Sequence, residues 1–141
     1  MYQQAPSDDE LCEILKSSKS IAVVGVSDKP DRPSYQVAQS LKGTGSYQLF
    51  FVNPALTELC GEPVYKTLED IPEPVDIVDV FRKSSELEPV FEAAQKIGAK
   101  NIWLQLGIEN EELGSAAQSR GMGVVMNRCL KIDYDLFKTF S

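Results

Sequence analysis

The chain contains no histidine among its 141 residues. That removes the commonest general base near neutral pH, every Ser-His-Asp or Cys-His arrangement, and every histidine metal ligand. Three cysteines, Cys12, Cys60 and Cys129, are too few and too scattered for a disulfide framework or a Cys-x-x-Cys zinc site. No apolar run approaches the roughly 20 residues that a membrane-crossing helix needs. Basic residues are the minority, 14 Lys and Arg against 21 Asp and Glu, for a formal net charge of −7. This balance argues against broad nucleic-acid binding, which needs a basic face, and against an anionic membrane surface as partner. The start, "MYQQAPSDDELCEILKSS", has acids where a signal peptide would carry a basic region, so a cytoplasmic location is expected. One more absence is specific: Gly25 ends an apolar run as a phosphate-binding glycine would, but Ser27 and Pro30 stand where Gly-x-Gly-x-x-Gly requires glycines.

What is present is a regular alternation. Five short apolar runs, "SIAVVGV" (20–26), "YQLFFVN" (47–53), "VDIVDVF" (75–81), "KNIWLQL" (100–106) and "GMGVVMN" (121–127), are separated by helical patterns. Near-continuous apolar strands between helices predict a parallel sheet covered on both faces. The segment 7–18 opens with Ser7 and, three residues on, Glu10, a capping box. A second helix begins after Pro33 and stops at Gly43; a third, over 84–100, carries Leu87, Val90, Phe91, Ala94 and Ile97 on one stripe. Further helices are expected over 109–121 and 133–140, and one broken turn over 67–75. The expected fold is a single α/β domain: a doubly wound, five-stranded parallel Rossmann-like sheet. Residues 1–19 would form an N-terminal helix and lead-in, 20–131 the nucleotide-binding core, and 132–141 a C-terminal helix.

In such a sheet, ligands lie beyond the carboxyl ends of the strands, where strand order reverses. Those ends deliver Gly25, Val26 and Ser27; Asn53 and Pro54; Phe81 and Arg82; Gln105, Leu106 and Gly107; Asn127 and Arg128. Lys29, Arg32, Arg82, Lys83, Arg128 and Lys131 all fall at or just past them, so an otherwise acidic chain gathers positive charge on one rim. Ser27, with the backbone N–H groups of Ser34, Tyr35 and Gln36 in a first helical turn, suits a phosphate. Gly25 alone fits equally well a close packing of strand against helix. Phe81 beside Arg82 suits an adenine ring and a phosphate, or else a core aromatic and a solvated cation. Trp103 reads as core with its indole N–H partnered, and Asp76 and Asp79 as structural, since no second group makes them an acid–base pair. Cys129, between cationic neighbours, is either a reactive thiol or a small core residue. A nicotinamide dinucleotide site would put a carboxylate at the end of the second strand; Asn53 stands there instead.

Taken in order, "VVGVSDKPDRPSYQVAQSL", "FVNP", "GEPVYKTLEDIPEPVDIVDVFR", "IGAKNIWLQLGIENEEL" and "VVMNRCLK" resemble the CoA-binding family of small Rossmann-like proteins. That family is related to the N-terminal domain of the succinyl-CoA synthetase alpha subunit. The resemblance implies coenzyme A or an acyl-CoA lying across the strand ends. Gly25-Val26-Ser27 and the helix start at Ser34-Tyr35 would meet the pyrophosphate, with Asn53-Pro54 as the wall beside it. Phe81-Arg82 would meet the adenosine end, and Gln105 and Gly107 would face the pantetheine path. Arg32 and Asn127, on the same rim, complete the candidate set. The family often continues its last motif with Glu-His; here the chain reads "KIDYD", with Tyr134 near the place of that histidine. The synthetase's phosphohistidine belongs to a domain this chain lacks, so its ligase reaction is not implied, and no catalytic constellation is expected. Two other readings stand beside CoA binding: an NAD(P)-dependent oxidoreductase, and a regulatory subunit that senses CoA for a larger enzyme. A protein partner or homo-oligomer is compatible with either.

Overall fold

β-Branched and aromatic runs form one sheet, and the amphipathic segments between them cover its two faces. The computed structural model describes residues 6–137. Helix α1 (Asp8–Ser17) begins with the expected reciprocal cap: the Ser7 hydroxyl accepts from the Glu10 N–H, and the Glu10 carboxylate accepts from the Ser7 N–H. Those hydrogen bonds hold the exposed Glu10 carboxyl below the usual carboxylate range. Then follow β1 (Ser20–Val24), α2 (Pro33–Thr44), β2 (Gln48–Val52), β3 (Glu58–Leu59) and β4 (Glu62–Tyr65). After a 3-10 turn at Leu68–Asp70 come β5 (Ile77–Val80), a 3-10 turn at Ser84–Glu86, α3 (Leu87–Lys96), β6 (Asn101–Leu104), α4 (Glu111–Ser119), β7 (Gly123–Val125) and α5 (Leu130–Phe137). Residues 138–140 of the expected terminal helix lie outside the described residues.

The sheet has seven strands in the order β3-β4-β2-β1-β5-β6-β7, and every pairing is parallel except β3 with β4. The chain winds outward from β1 through β2 to β4, then returns to the other side of β1 as β5. Strand order therefore reverses between β1 and β5. The expectation of five strands is corrected here: "ELCGEPVY" folds as a hairpin whose second strand joins the edge of β2. Its two-residue turn, Cys60-Gly61, needs positive φ at both positions (52° and 78°). Cysteine is not a turn signal, and Pro63 argues against a strand, so the pattern concealed the hairpin.

Alternation along the strands splits the core into two layers. Val24, Val52, Val78, Val80, Ile102 and Leu104 pack with Leu87, Phe91 and Ala94 of α3 and Leu113 and Ala117 of α4. Ile21, Val23, Phe51, Ile77 and Trp103 pack on the opposite face with α1, α2 and α5. Trp103 is fully buried, and its indole N–H donates to the Arg128 carbonyl at 2.9 Å. Asp76, at the amino edge, accepts from the Lys19 and Ser20 N–H groups and ties β5 to β1.

Candidate functional site

The chain turns at Gly25 with φ +83°, a conformation that residues with a Cβ rarely adopt. A Cβ there would stand 2.7 Å from the Phe81 carbonyl oxygen and 3.1 Å from Arg82 Nε. The glycine therefore lets the β1 and β5 loops close on each other, with the Arg82 side chain lying across the turn. The partner in this close approach is the neighbouring strand's loop rather than a helix.

Past the turn, the Ser34 hydroxyl accepts from the Ser27 N–H at 2.9 Å, and the Ser27 hydroxyl accepts from the Lys29 N–H at 3.1 Å. The Ser27 N–H, expected to face a phosphate, is thus spent on preforming the loop. The Asn53 amide donates to the Val26 carbonyl at 2.7 Å, and its carbonyl accepts from the Ala55 N–H at 2.7 Å. One side chain thereby fixes the first two strand-end loops to each other; Pro54 follows it, exposed.

Helix α2 starts with Arg32 in the cap position and no side-chain cap, with Pro33 in the first turn. Proline has no N–H, so the orphan donors of this first turn are those of Ser34 and Tyr35. The Gln36 N–H is already bonded to the Arg32 carbonyl at 3.1 Å, which removes it from the expected set. Gly25, Ser27, Lys29, Arg32, Pro33, Ser34 and Phe81 line a cleft of about 310 Å³ at this point. Among the described residues, Lys29, Arg32, Arg82 and Lys83 have no carboxylate within ion-pair distance. Lys29 and Arg32 thus line a cleft at the uncapped start of α2, with the Arg82 side chain beside the Gly25 turn, an arrangement that suits an anion.

The β6–β7 end of the same edge differs. The Gln105 side chain is buried, and its carbonyl accepts from the Leu130 N–H at 3.1 Å, capping the start of α5. Asn127 adopts φ 57°, and its carbonyl accepts from the Gly107 N–H at 2.7 Å, locking two loops together at the surface. Arg128 forms a forked pair with the buried Asp133, at 2.6 and 2.9 Å, and that pair raises its pKa. Lys131 is held by Asp135 at 2.8 Å. Both cations beside the half-buried Cys129 are therefore neutralised. Tyr134 lies away from the crevice: its hydroxyl shares a 2.6 Å hydrogen bond with Ser46, and its ring stands edge-on to Tyr47 at 5.7 Å. Neither the Asn53 clamp nor these ion pairs follow from residue spacing; their only mark was the aspartates at 133 and 135.

A doubly wound, mostly parallel sheet with a glycine turn at its reversal point defines the Rossmann-like class of α/β domains. The chain matches the model of the CoA-binding domain family over residues 19–135. It is 40% identical over 135 residues to the uncharacterized protein YneT of Bacillus subtilis, covering 96% of this chain and 99% of that one. A solved structure of a hypothetical protein from Pyrococcus horikoshii superposes with a TM-score of 0.90 at 34% identity, over 98% of this chain and 99% of that one. The alpha subunit of the ADP-forming acetate–CoA ligase II of Pyrococcus furiosus is 28% identical over 125 residues. That alignment covers 81% of this chain but only 27% of the subunit. The chain belongs to the CoA-binding domain family.

Proposed function

We propose that the protein binds coenzyme A or an acyl-CoA across the β1–β5 crevice. The pyrophosphate sits against the Gly25-Val26-Ser27 turn and takes the free N–H groups of Ser34 and Tyr35. Arg82 reaches it across Gly25, and Lys29, Arg32 and Lys83 neutralise the remaining phosphate charge. Phe81 supplies a flat apolar surface for the adenosine end. Asn53 and Pro54 form the wall, with Asn53 holding the turn in shape rather than gripping the ligand. The pantetheine arm runs over Gly107 and Asn127, above the buried Gln105. The observation that carries this reading is the uncapped α2 start in a cleft lined by Lys29 and Arg32, which have no carboxylate partner among the described residues.

The same geometry disfavours an NAD(P)-dependent oxidoreductase. The position that would hold a ribose carboxylate is Asn53, and both ends of its amide are already bonded within the protein. Side-by-side titration calorimetry tests the choice. CoA binds more tightly than NAD or NADP; equal or reversed affinities overturn the assignment. A regulatory reading is favoured by one observation, that the chain aligns with about a quarter of a ligase subunit. On that reading CoA occupancy is the signal passed to a larger enzyme, and co-purification of a ligase-like subunit with the protein would support it.

A further inference from the structure

Asp79 stands in the middle of β5, fully buried, and neither carboxylate oxygen has a hydrogen-bond partner. Alternation along the strand puts it with Ile77, on the face covered by α1, α2 and α5. In register it lies between Val23 of β1 and Trp103 of β6. Phe81 is two residues above it and Gly25 two residues above Val23, so about 7 Å of strand separates it from the crevice floor. A natural core position at the centre of a parallel sheet takes Val or Ile, and nothing in the packing calls for a carboxyl there.

Burial alone raises its pKa well above the ordinary value, and no charged neighbour offsets that. Titratable and charged side chains on the elements of this layer include Cys12 of α1, Tyr35 of α2, Tyr47, Cys60, Cys129, Tyr134 of α5, and Asp133 of α5 paired with Arg128 just before that helix. None of them hydrogen-bonds the Asp79 carboxyl. Tyr47 is itself pushed up to about 12, mainly by burial.

We infer that Asp79 couples proton binding to anion binding at the β1–β5 crevice: the site accepts its anion while Asp79 is a neutral acid and loses affinity when Asp79 ionises. The inference rests on the CoA reading above. An ionised Asp79 is an unpaired negative charge in a low-dielectric sheet beneath the phosphates, where water screens it poorly. Linkage is reciprocal, so a bound polyanion raises the proton affinity of Asp79 by the factor that ionisation takes from the anion.

The test is CoA titration of the full chain across the whole pH range in which it stays folded, from mildly acidic to strongly alkaline. It compares wild type with Asp79→Asn and Asp79→Val; the second variant removes any need for an amide partner should the first not fold. The ionisations of CoA itself affect all three proteins alike, so the difference between profiles isolates residue 79. Wild-type affinity falls relative to the variants by on the order of tenfold as pH rises. Parallel profiles overturn the inference while leaving CoA binding intact. Absence of CoA binding to wild type at every pH overturns the CoA reading and this inference with it.

Discussion

At the β1–β5 end of the sheet's carboxyl edge, Lys29, Arg32, Arg82 and Lys83 have no carboxylate partner among the described residues, and the start of α2 has no side-chain cap. At the β6–β7 end of that edge, Arg128 and Lys131 are each held by an aspartate, and the amides of Gln105 and Asn127 are bound to neighbouring backbone. The two ends draw on the same residue types. One leaves its charge unsatisfied and the other consumes it, so the difference separates the proposed anion site from a structural joint. The teaching is about partners: a cation at a strand end means a ligand only where the fold has left it alone.

Substitutions sort the two ends. Gly25→Ala has the largest effect, because φ +83° strains any residue with a Cβ and the new Cβ would stand 2.7 Å from a carbonyl oxygen. A loss of about 3 kcal/mol in thermal unfolding, with CoA affinity falling in the protein that remains folded, is expected. An alanine variant that melts like wild type would mean the two loops are not locked together.

Arg82→Ala comes next and acts on binding. It removes a charge-assisted contact worth roughly 1.5–3 kcal/mol, one to two decades of CoA affinity, while the melting temperature of the free protein stays put. The mirror experiment is Arg128→Ala, which strips the partner from the buried Asp133. It costs about 2 kcal/mol of stability, short of a fully buried pair because the Arg128 side chain is 38% exposed. CoA affinity is retained. If Arg128→Ala abolishes binding and Arg82→Ala only destabilises, the comparison is inverted.

The smallest effect is that of Gln105→Leu. The Leu130 N–H loses its acceptor, at about 1 kcal/mol, and CoA affinity is unchanged. A binding defect without a stability loss would return Gln105 to the ligand surface.

Much of the fold was legible because parallel strands buried on both faces are apolar without interruption. "SIAVV", "LFFV" and "IWL" could hardly be anything else, and the Ser7–Glu10 box marked α1 by spacing alone. The β3–β4 hairpin was not legible, since its turn uses Cys60 in a conformation usually left to glycine or asparagine. Sequence order brought Gly25, Ser27, Arg32, Ser34 and Phe81 to one strand edge, where they line the same cleft, because strand ends are set by where apolar runs stop. It could not assign donors to acceptors. That the Ser27 N–H is taken by Ser34, or that Asp133 reaches back to Arg128, depends on loop paths no spacing rule encodes. Asp79 was read as structural from its lack of an acid–base partner; burial without any hydrogen bond is what sets it apart.

The same hairpin that hid from the sequence also governs how this sheet can meet another chain. A parallel sheet whose outermost strand were β2 would expose a five-residue run of ladder groups ending in Phe50, Phe51 and Val52. The hairpin covers the upper part of that edge and then stops, its outermost strand only two residues long and bearing the exposed Glu58. Short, charged edges beside a proline offer little for a neighbouring backbone to pair with. The hairpin thereby shields the Phe51–Val52 end of the β2 edge from strand pairing and leaves the Gln48–Phe50 end open.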